Sequence, residues 1–316
     1  MRWIVVTLLI VVIAPAWGEE SKTLPSKKKI ERQLDISPRL QWTERAGYCG
    51  ECSIQQAGLY YGNYVSQFVC RKIIDPEQKQ DVLVRINADR VLKALNLEFD
   101  EFDTTNTPTP QYQPYLLWVK QHLHDEHPVI ITLYDQEDEF PDYDHIVLAT
   151  GFRANDVKAY HPEDTLIFYD HFKLEPHRRE FKTLHDTREM KGNGKDFYYC
   201  IPAEKNYGCA ITGIKDETKA LRRVQVTADK EEEPDVVKEV APVELNLTVT
   251  ISGLKAGKSY VLYRYNDHEK VPTKNYAKSK YLSARKFVAT GAEQEFQDKC
   301  LSHGVSMYRC LPEEGK

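Results

Sequence analysis

Cys49, His145, Asp170 and Gln41 are the residues whose types and order point to covalent chemistry. Cys49 stands beside Gly50, where a loop runs into a stretch of helical periodicity. A cysteine at a helix N-terminus is where a thiolate is favoured, because backbone N–H groups and the helix dipole stabilise the anion. The neighbouring glycine lets the backbone approach a substrate carbonyl closely. The Cys49 N–H and an upstream glutamine side chain, for which Gln41 is the candidate, would then donate to a developing oxyanion. A thiol nucleophile also needs a base, and the base needs an orienting group. His145 heads the apolar run HIVLATG, and Asp170 ends the run TLIFYD. Neighbouring strand ends are a natural meeting place for an imidazole and its carboxylate. Asp144 is a poorer orienter, since adjacent strand residues point to opposite faces.

The elements that must position these residues follow from periodicity. Cys52 to Val65 has Ile54, Ala57, Gly58, Tyr61 and Val65 at helical spacing. Further helices are expected over Asp81 to Leu95, with Val82, Ile86, Val91 and Leu95 as the buried stripe, and over Tyr112 to Leu123. Short β-branched runs follow at Pro128–Tyr134, His145–Gly151, Thr165–Tyr169, Phe197–Cys200 and Cys209–Ile214. Helices first and strands afterwards predict an α+β domain built on an antiparallel sheet. After a charged stretch between Lys215 and Pro242, Val243–Ile251 and Ser259–Tyr265 alternate apolar and polar residues around the turn-forming SGLKAGK. That pattern predicts a small β-sandwich-like module; its strand-turn-strand resembles fibronectin type III modules over about a dozen residues.

The order Gln, Cys, His, Asp is that of papain-like enzymes, and CGECSIQQAGLYYG resembles the nucleophile helix of bacteriocin-processing-type cysteine peptidases. Cys49, Gly50, Ser53, Tyr60, Tyr61 and Gly62 fall on that family's pattern. PVIITLY, the acidic loop and HIVLATGF match its second motif, and TLIFYD its third. The resemblance implies a papain-like cysteine peptidase fold, with N-terminal helices packed on an antiparallel sheet. It also implies a thiol hydrolase cleaving peptide or amide bonds through a thioester, with a Cys49–His145–Asp170 triad. Three departures stand out. Glu51 replaces a proline and sets a negative charge near the thiol, which raises its pKa. Gln41 lies farther upstream than the family's glutamine, and His171 follows Asp170 where proline is common. A rival alignment on papain's Cys-Gly-Ser-Cys-Trp makes Cys52 the nucleophile, but it lacks the tryptophan and finds Ala46 in the glutamine's place. A catalytically inactive papain-fold binding or cell-surface protein, and a transamidase, are the alternative functions.

Met1-Arg2, the apolar run to Ile13 and small residues up to Gly18 have the form of a secretory signal, which implies a secreted or lumenal protein. No later segment has the ~20 apolar residues of a membrane span. The seven cysteines are odd in number, so an oxidising compartment leaves one thiol over. Cys200 with Cys209, Cys300 with Cys310 and Cys52 with Cys70 would leave Cys49 unbridged. Asn246-Leu247-Thr248 is a glycosylation acceptor. A net charge of −5 with interspersed signs is no nucleic-acid footprint, and the histidines lack metal-ligand spacing. A peptide or protein substrate is therefore expected, with no cofactor. The expected organisation is signal 1–18, flexible leader 19–37, peptidase-like domain 38–215, β-sandwich-like module 216–298 and disulfide-closed tail 299–316.

Overall fold

The computed structural model describes residues 29–42, 47–137, 140–184, 198–229 and 242–313. The signal segment therefore lies outside the described residues. The leader is not wholly irregular: β1 (Ile30–Gln33) pairs antiparallel with residues 151–154. Helix α1 (Cys49–Tyr60) begins at the candidate nucleophile, three residues before the periodicity alone would start it. It stops early because Gly62 takes φ +73°, a left-handed conformation suited to leaving a helix. Residues expected at the helix end become β2 (Asn63–Val65), and Ser66 then caps α2 (Gln67–Ile74) by accepting from the Val69 N–H.

The helix expected over Asp81–Leu95 contracts to α3 (Ala88–Ala94). Asn87 is the reason: its Oδ1 accepts from the Leu83 N–H and its Nδ2 donates to the Asp81 carbonyl, which folds the preceding residues into a turn. Ile86, assigned to a buried stripe by periodicity, is 71% exposed there. The chain continues through β3 (Leu97–Glu101), α4 (Tyr112–His124), β4 (Val129–Glu137), β5 (Phe140–Ala154), β6 (Thr165–Tyr169) and β7 (His177–Glu180). It then forms α5 (Phe181–Leu184), β8 (Tyr198–Cys200) and β9 (Gly208–Ile214).

These strands build one antiparallel sheet in the order β3-β9-β4-β5-β6-β7, with β1 added to β5 and β8 to β4. Val129–Ile131 and Val147–Ala149 are buried residue after residue, so both faces of β4 and β5 are covered. That is why their sequences are continuous apolar runs rather than alternating ones. Helices α1 and α4 both pack against this pair of strands.

The C-terminal part comprises β10 (Arg223–Ala228), β11 (Glu244–Ser252), β12 (Ser259–Tyr265), β13 (Ser283–Val288), β14 (Glu293–Leu301) and β15 (Val305–Pro312). They form a sheet β10-β11-β14 and a sheet β13-β12-β15-β2. The two alternating strands fall within a residue of expectation, but SGLKAGK carries the chain from one sheet to the other instead of closing a hairpin. Leu245, Leu247, Val249 and Ile251 of β11 share a second core with Tyr260 and Leu262 of β12. The alternate residues of β12, Val261, Tyr263 and Tyr265, join the main core. The described part of the expected tail, residues 299–313, is no loose end, because it supplies the end of β14 and all of β15. The protein is α+β with antiparallel sheets, and among the described residues no helix is long and apolar enough to cross a membrane.

None of the seven cysteines stands at disulfide distance from another. Closeness in sequence is undone by strand geometry. Cys200 lies opposite Tyr134 and Cys209 opposite Ile130 on the same edge of β4. At about 3.3 Å per residue that is roughly 13 Å, about twice the span a disulfide accepts. Cys300 and Cys310 sit on strands of the two opposed sheets, about 10 Å apart in such packings. Cys52 on α1 aims its Sγ at the Arg39 carbonyl, 3.4 Å away, while Cys70 lies on α2.

Candidate functional site

Cys49 lines a cleft of about 960 Å³. The cleft wall also includes Gly47, residues of the 81–86 turn, Thr132–Tyr134 of β4 and Ile146 of β5. Gly50 allows this placement: a Cβ there would stand 2.1 Å from the Val82 carbonyl oxygen, so any side chain would push α1 off the 81–84 segment. Cys49 is 5% exposed as a residue, and its thiol is hydrogen-bonded to the Ile146 backbone. Burial pushes its pKa up to about 12, with the Ile146 hydrogen bond opposing and the Glu51 charge adding to the rise. The resting group is a neutral thiol.

Glu51 is an internal strut rather than a charge open to the cleft. It is fully buried, accepts from Arg71 Nε at 2.6 Å and from the Val82 N–H at 3.2 Å. Arg71 Nη2 donates to the Gly47 carbonyl at 2.7 Å and pairs with Asp81 at 3.0 Å, and its guanidinium lies 3.5 Å from the Tyr48 ring centroid. One arginine thus ties together the loop before the nucleophile, the nucleophile helix and the 81–86 turn. Burial raises Glu51 to about 7 despite the Arg71 charge.

His145 is fully buried on β5 and is not among the residues lining the cleft; its neighbour Ile146 is. Its Nε2 is 2.7 Å from the Asp170 backbone carbonyl. A carbonyl only accepts, so Nε2 carries the proton and Nδ1 carries the lone pair, the tautomer a general base requires. Among the described residues Nδ1 has no hydrogen-bond partner, so no hydrogen bond joins it to Cys49. The ring stacks on Phe172 at 5.1 Å, and burial lowers its pKa against the pull of Asp170.

Asp170 ends β6 as expected, but its carboxylate does not orient His145. Oδ1 accepts from the Phe172 and Lys173 N–H groups, and Oδ2 from His177 Nε2 at 2.6 Å and Tyr199 at 2.7 Å. Burial works to raise this carboxyl, but the donors from His177 and Tyr199 outweigh it and hold it below the usual range. Asp170 meets His145 through its main chain alone.

Gln41 is buried, with its N–H donating to the His171 carbonyl at 2.9 Å and its Oε1 without a partner among the described residues. It is not among the residues lining the cleft. Cys52, the rival nucleophile, is buried a turn inside α1 and is also absent from the lining. Asn246 is exposed on β11, its Nδ2 donating to Asp229 at 2.6 Å.

His171 is the residue that sequence reasoning missed. It takes φ +68°, and its ring reaches α1 twice: Nδ1 lies 2.9 Å from Gln56 Nε2 and Nε2 lies 2.8 Å from Ser53 Oγ. The amide of Gln56 donates, so His171 Nε2 carries the proton and Ser53 passes its own to the Cys49 carbonyl at 2.9 Å. Ser53 is therefore a helix brace and not a nucleophile. Burial, reinforced by His145, lowers His171 to about 3 and keeps it neutral. The dipeptide Asp170-His171 thus touches His145, the Gln41 backbone and the nucleophile helix together. Its only sequence signal was a histidine where the resembled family has proline. No protein-family model matches the chain, and no curated protein matches it.

Proposed function

We propose that this protein is a papain-like thiol hydrolase that opens a peptide or amide bond at Cys49. The observation that carries the reading is that Cys49, at the first position of α1, is the cysteine lining the cleft among the described residues. His145 supports it by presenting a lone pair at Nδ1, its tautomer set by the Asp170 carbonyl. In the reaction the His145 ring must first turn Nδ1 to within reach of the thiol; Cys49 then gives its proton to Nδ1 as sulfur bonds to the carbonyl carbon. The Cys49 N–H, at the start of α1, donates to the oxyanion. The amine leaves with the proton from His145, and water hydrolyses the thioester by the reverse sequence. Because the resting thiol is neutral, the proton moves as the substrate docks and not before.

The binding-protein reading is favoured by one feature, the commitment of the Asp170 carboxylate to His177 and Tyr199. A peptidyl vinyl sulfone panel separates the two. Hydrolase chemistry predicts an adduct mapped to Cys49 that disappears in H145A. No adduct on Cys49, or one equally formed in H145A, would leave binding as the function. The N-terminal sequence adds secretion to the proposal.

A further inference from the structure

We propose, resting on the cleft reading above, that the Cys49 cleft selects an extended peptide carrying a large apolar side chain next to an acidic one. The described surface leaves few large apolar side chains open to water. Three of them, Leu83 at 38%, Ile86 at 71% and Tyr207 at 37% exposure, line this one cleft together with the buried Ile146. Exposed apolar side chains gathered around a concavity mark a place where a ligand displaces water.

The turn that presents Leu83 and Ile86 is tied down by hydrogen bonds. The Leu83 carbonyl accepts from the N–H groups of Ile86, Asn87 and Ala88, and the Asn87 side chain closes the turn from both ends. Arg85, at its tip, is held at φ +63°, a conformation that L side chains rarely adopt and that recurs at ligand clamps.

The charge around the cleft supplies the second half of the proposal. Arg85 and Lys205 both line it, and among the described residues neither makes an ion pair. The acid in the lining, Asp81, is already held by Arg71 at 3.0 Å. Asp103 feels the Arg85 charge, but its oxygens accept from Thr105 and Asn106. Among the described residues the charge in the lining that no ion pair takes up is therefore positive, with the Arg85 guanidinium 5.9 Å from the Tyr207 ring centroid, and a carboxylate beside the apolar anchor complements it.

The test measures binding apart from turnover. Cys49→Ser protein is titrated by fluorescence anisotropy with labelled Ala-Ala-Leu-Glu-Ala-Ala, its Leu-Lys counterpart and its Ser-Glu counterpart. The Leu-Glu peptide is expected to bind about tenfold more tightly than either, with the charge preference fading at high salt. Asn tolerates the left-handed region, so R85N combined with K205Q removes the charge without breaking the turn. That variant is expected to lose the Glu-over-Lys preference and keep the Leu-over-Ser one. Equal binding of the three peptides, or a Glu preference that survives R85N/K205Q, would overturn the proposal. If the preference holds while the wild-type protein forms no Cys49 adduct with vinyl sulfones, the selectivity stands and the hydrolase reading falls. Hydrolysis indifferent to sequence would do the opposite.

Discussion

A helix N-terminus lowers a thiol's pKa only as far as its dipole outweighs the loss of water. At Cys49 the loss of water is the larger effect, lifting the group from 9.0 to about 12. Iodoacetamide should therefore modify Cys49 negligibly at pH 6, and the rate should climb about tenfold per pH unit until the thiol ionises; mass mapping of the adduct across pH checks this. The sign for stability follows: the folded pKa is the higher one, so this group's contribution is complete below about 9 and lost as pH rises toward 12. Glu51 concerns stability in a different way. Its partner Arg71 is 3% exposed, and Glu51→Ala strips that cation of its buried carboxylate while leaving only the half-exposed Asp81. Such a loss costs about 3 kcal/mol, to be read from the urea midpoint. Glu51→Gln, which keeps an acceptor for Val82, should lose less.

At the scale of elements, the turn after β6 joins β5 to α1 through Asp170 and His171. His171 is held at about 3 against an ordinary 6.5. Between those values the unfolded chain takes up a proton that the folded ring refuses. Stability should therefore fall as pH drops from about 6.5 toward 3. His171→Asn keeps a residue that tolerates positive φ but removes the ring. It should cost about 2 kcal/mol at neutral pH through the lost bonds to Ser53 and Gln56. It should also flatten the acid limb of a plot of urea midpoint against pH, leaving the share of His145, whose pKa burial lowers too. A substitution that merely loosened packing would shift that plot without changing its slope.

The whole molecule is layered so that its two halves complete each other. Strand β2 pairs with β15, the Gly62 carbonyl accepts from the Tyr308 N–H, and the fully buried Arg309 donates to Asn63. Leu59 of α1 is part of the core between the two small sheets. A chain ending at residue 215 would expose that core and leave β2 unpaired. It should fail to give the near-ultraviolet circular dichroism of a packed protein, whereas the full chain should unfold in one transition seen alike by fluorescence and far-ultraviolet dichroism. Two separate transitions, or a folded truncated chain, would show the halves to be independent.

Local chemistry in the sequence was enough for much of this. The apolar runs PVIITLY, HIVLATG and TLIFY read as buried strands from their shortness and β-branched residues, and the stretch Tyr112–Leu123 as a helix. Cys49 beside Gly50 marked a helix start because a small neighbour and N-terminal amides are local properties. What the sequence could not determine depends on contacts between distant residues. Whether the Asp170 carboxylate meets His145 is decided by competing donors on His177 and Tyr199. The ionisation of Cys49 is decided by how much water the fold removes, and the failure of cysteines near in sequence to meet is decided by strand register. Ile86 has the period of a core residue, yet the side chain of Asn87 turns it into the cleft.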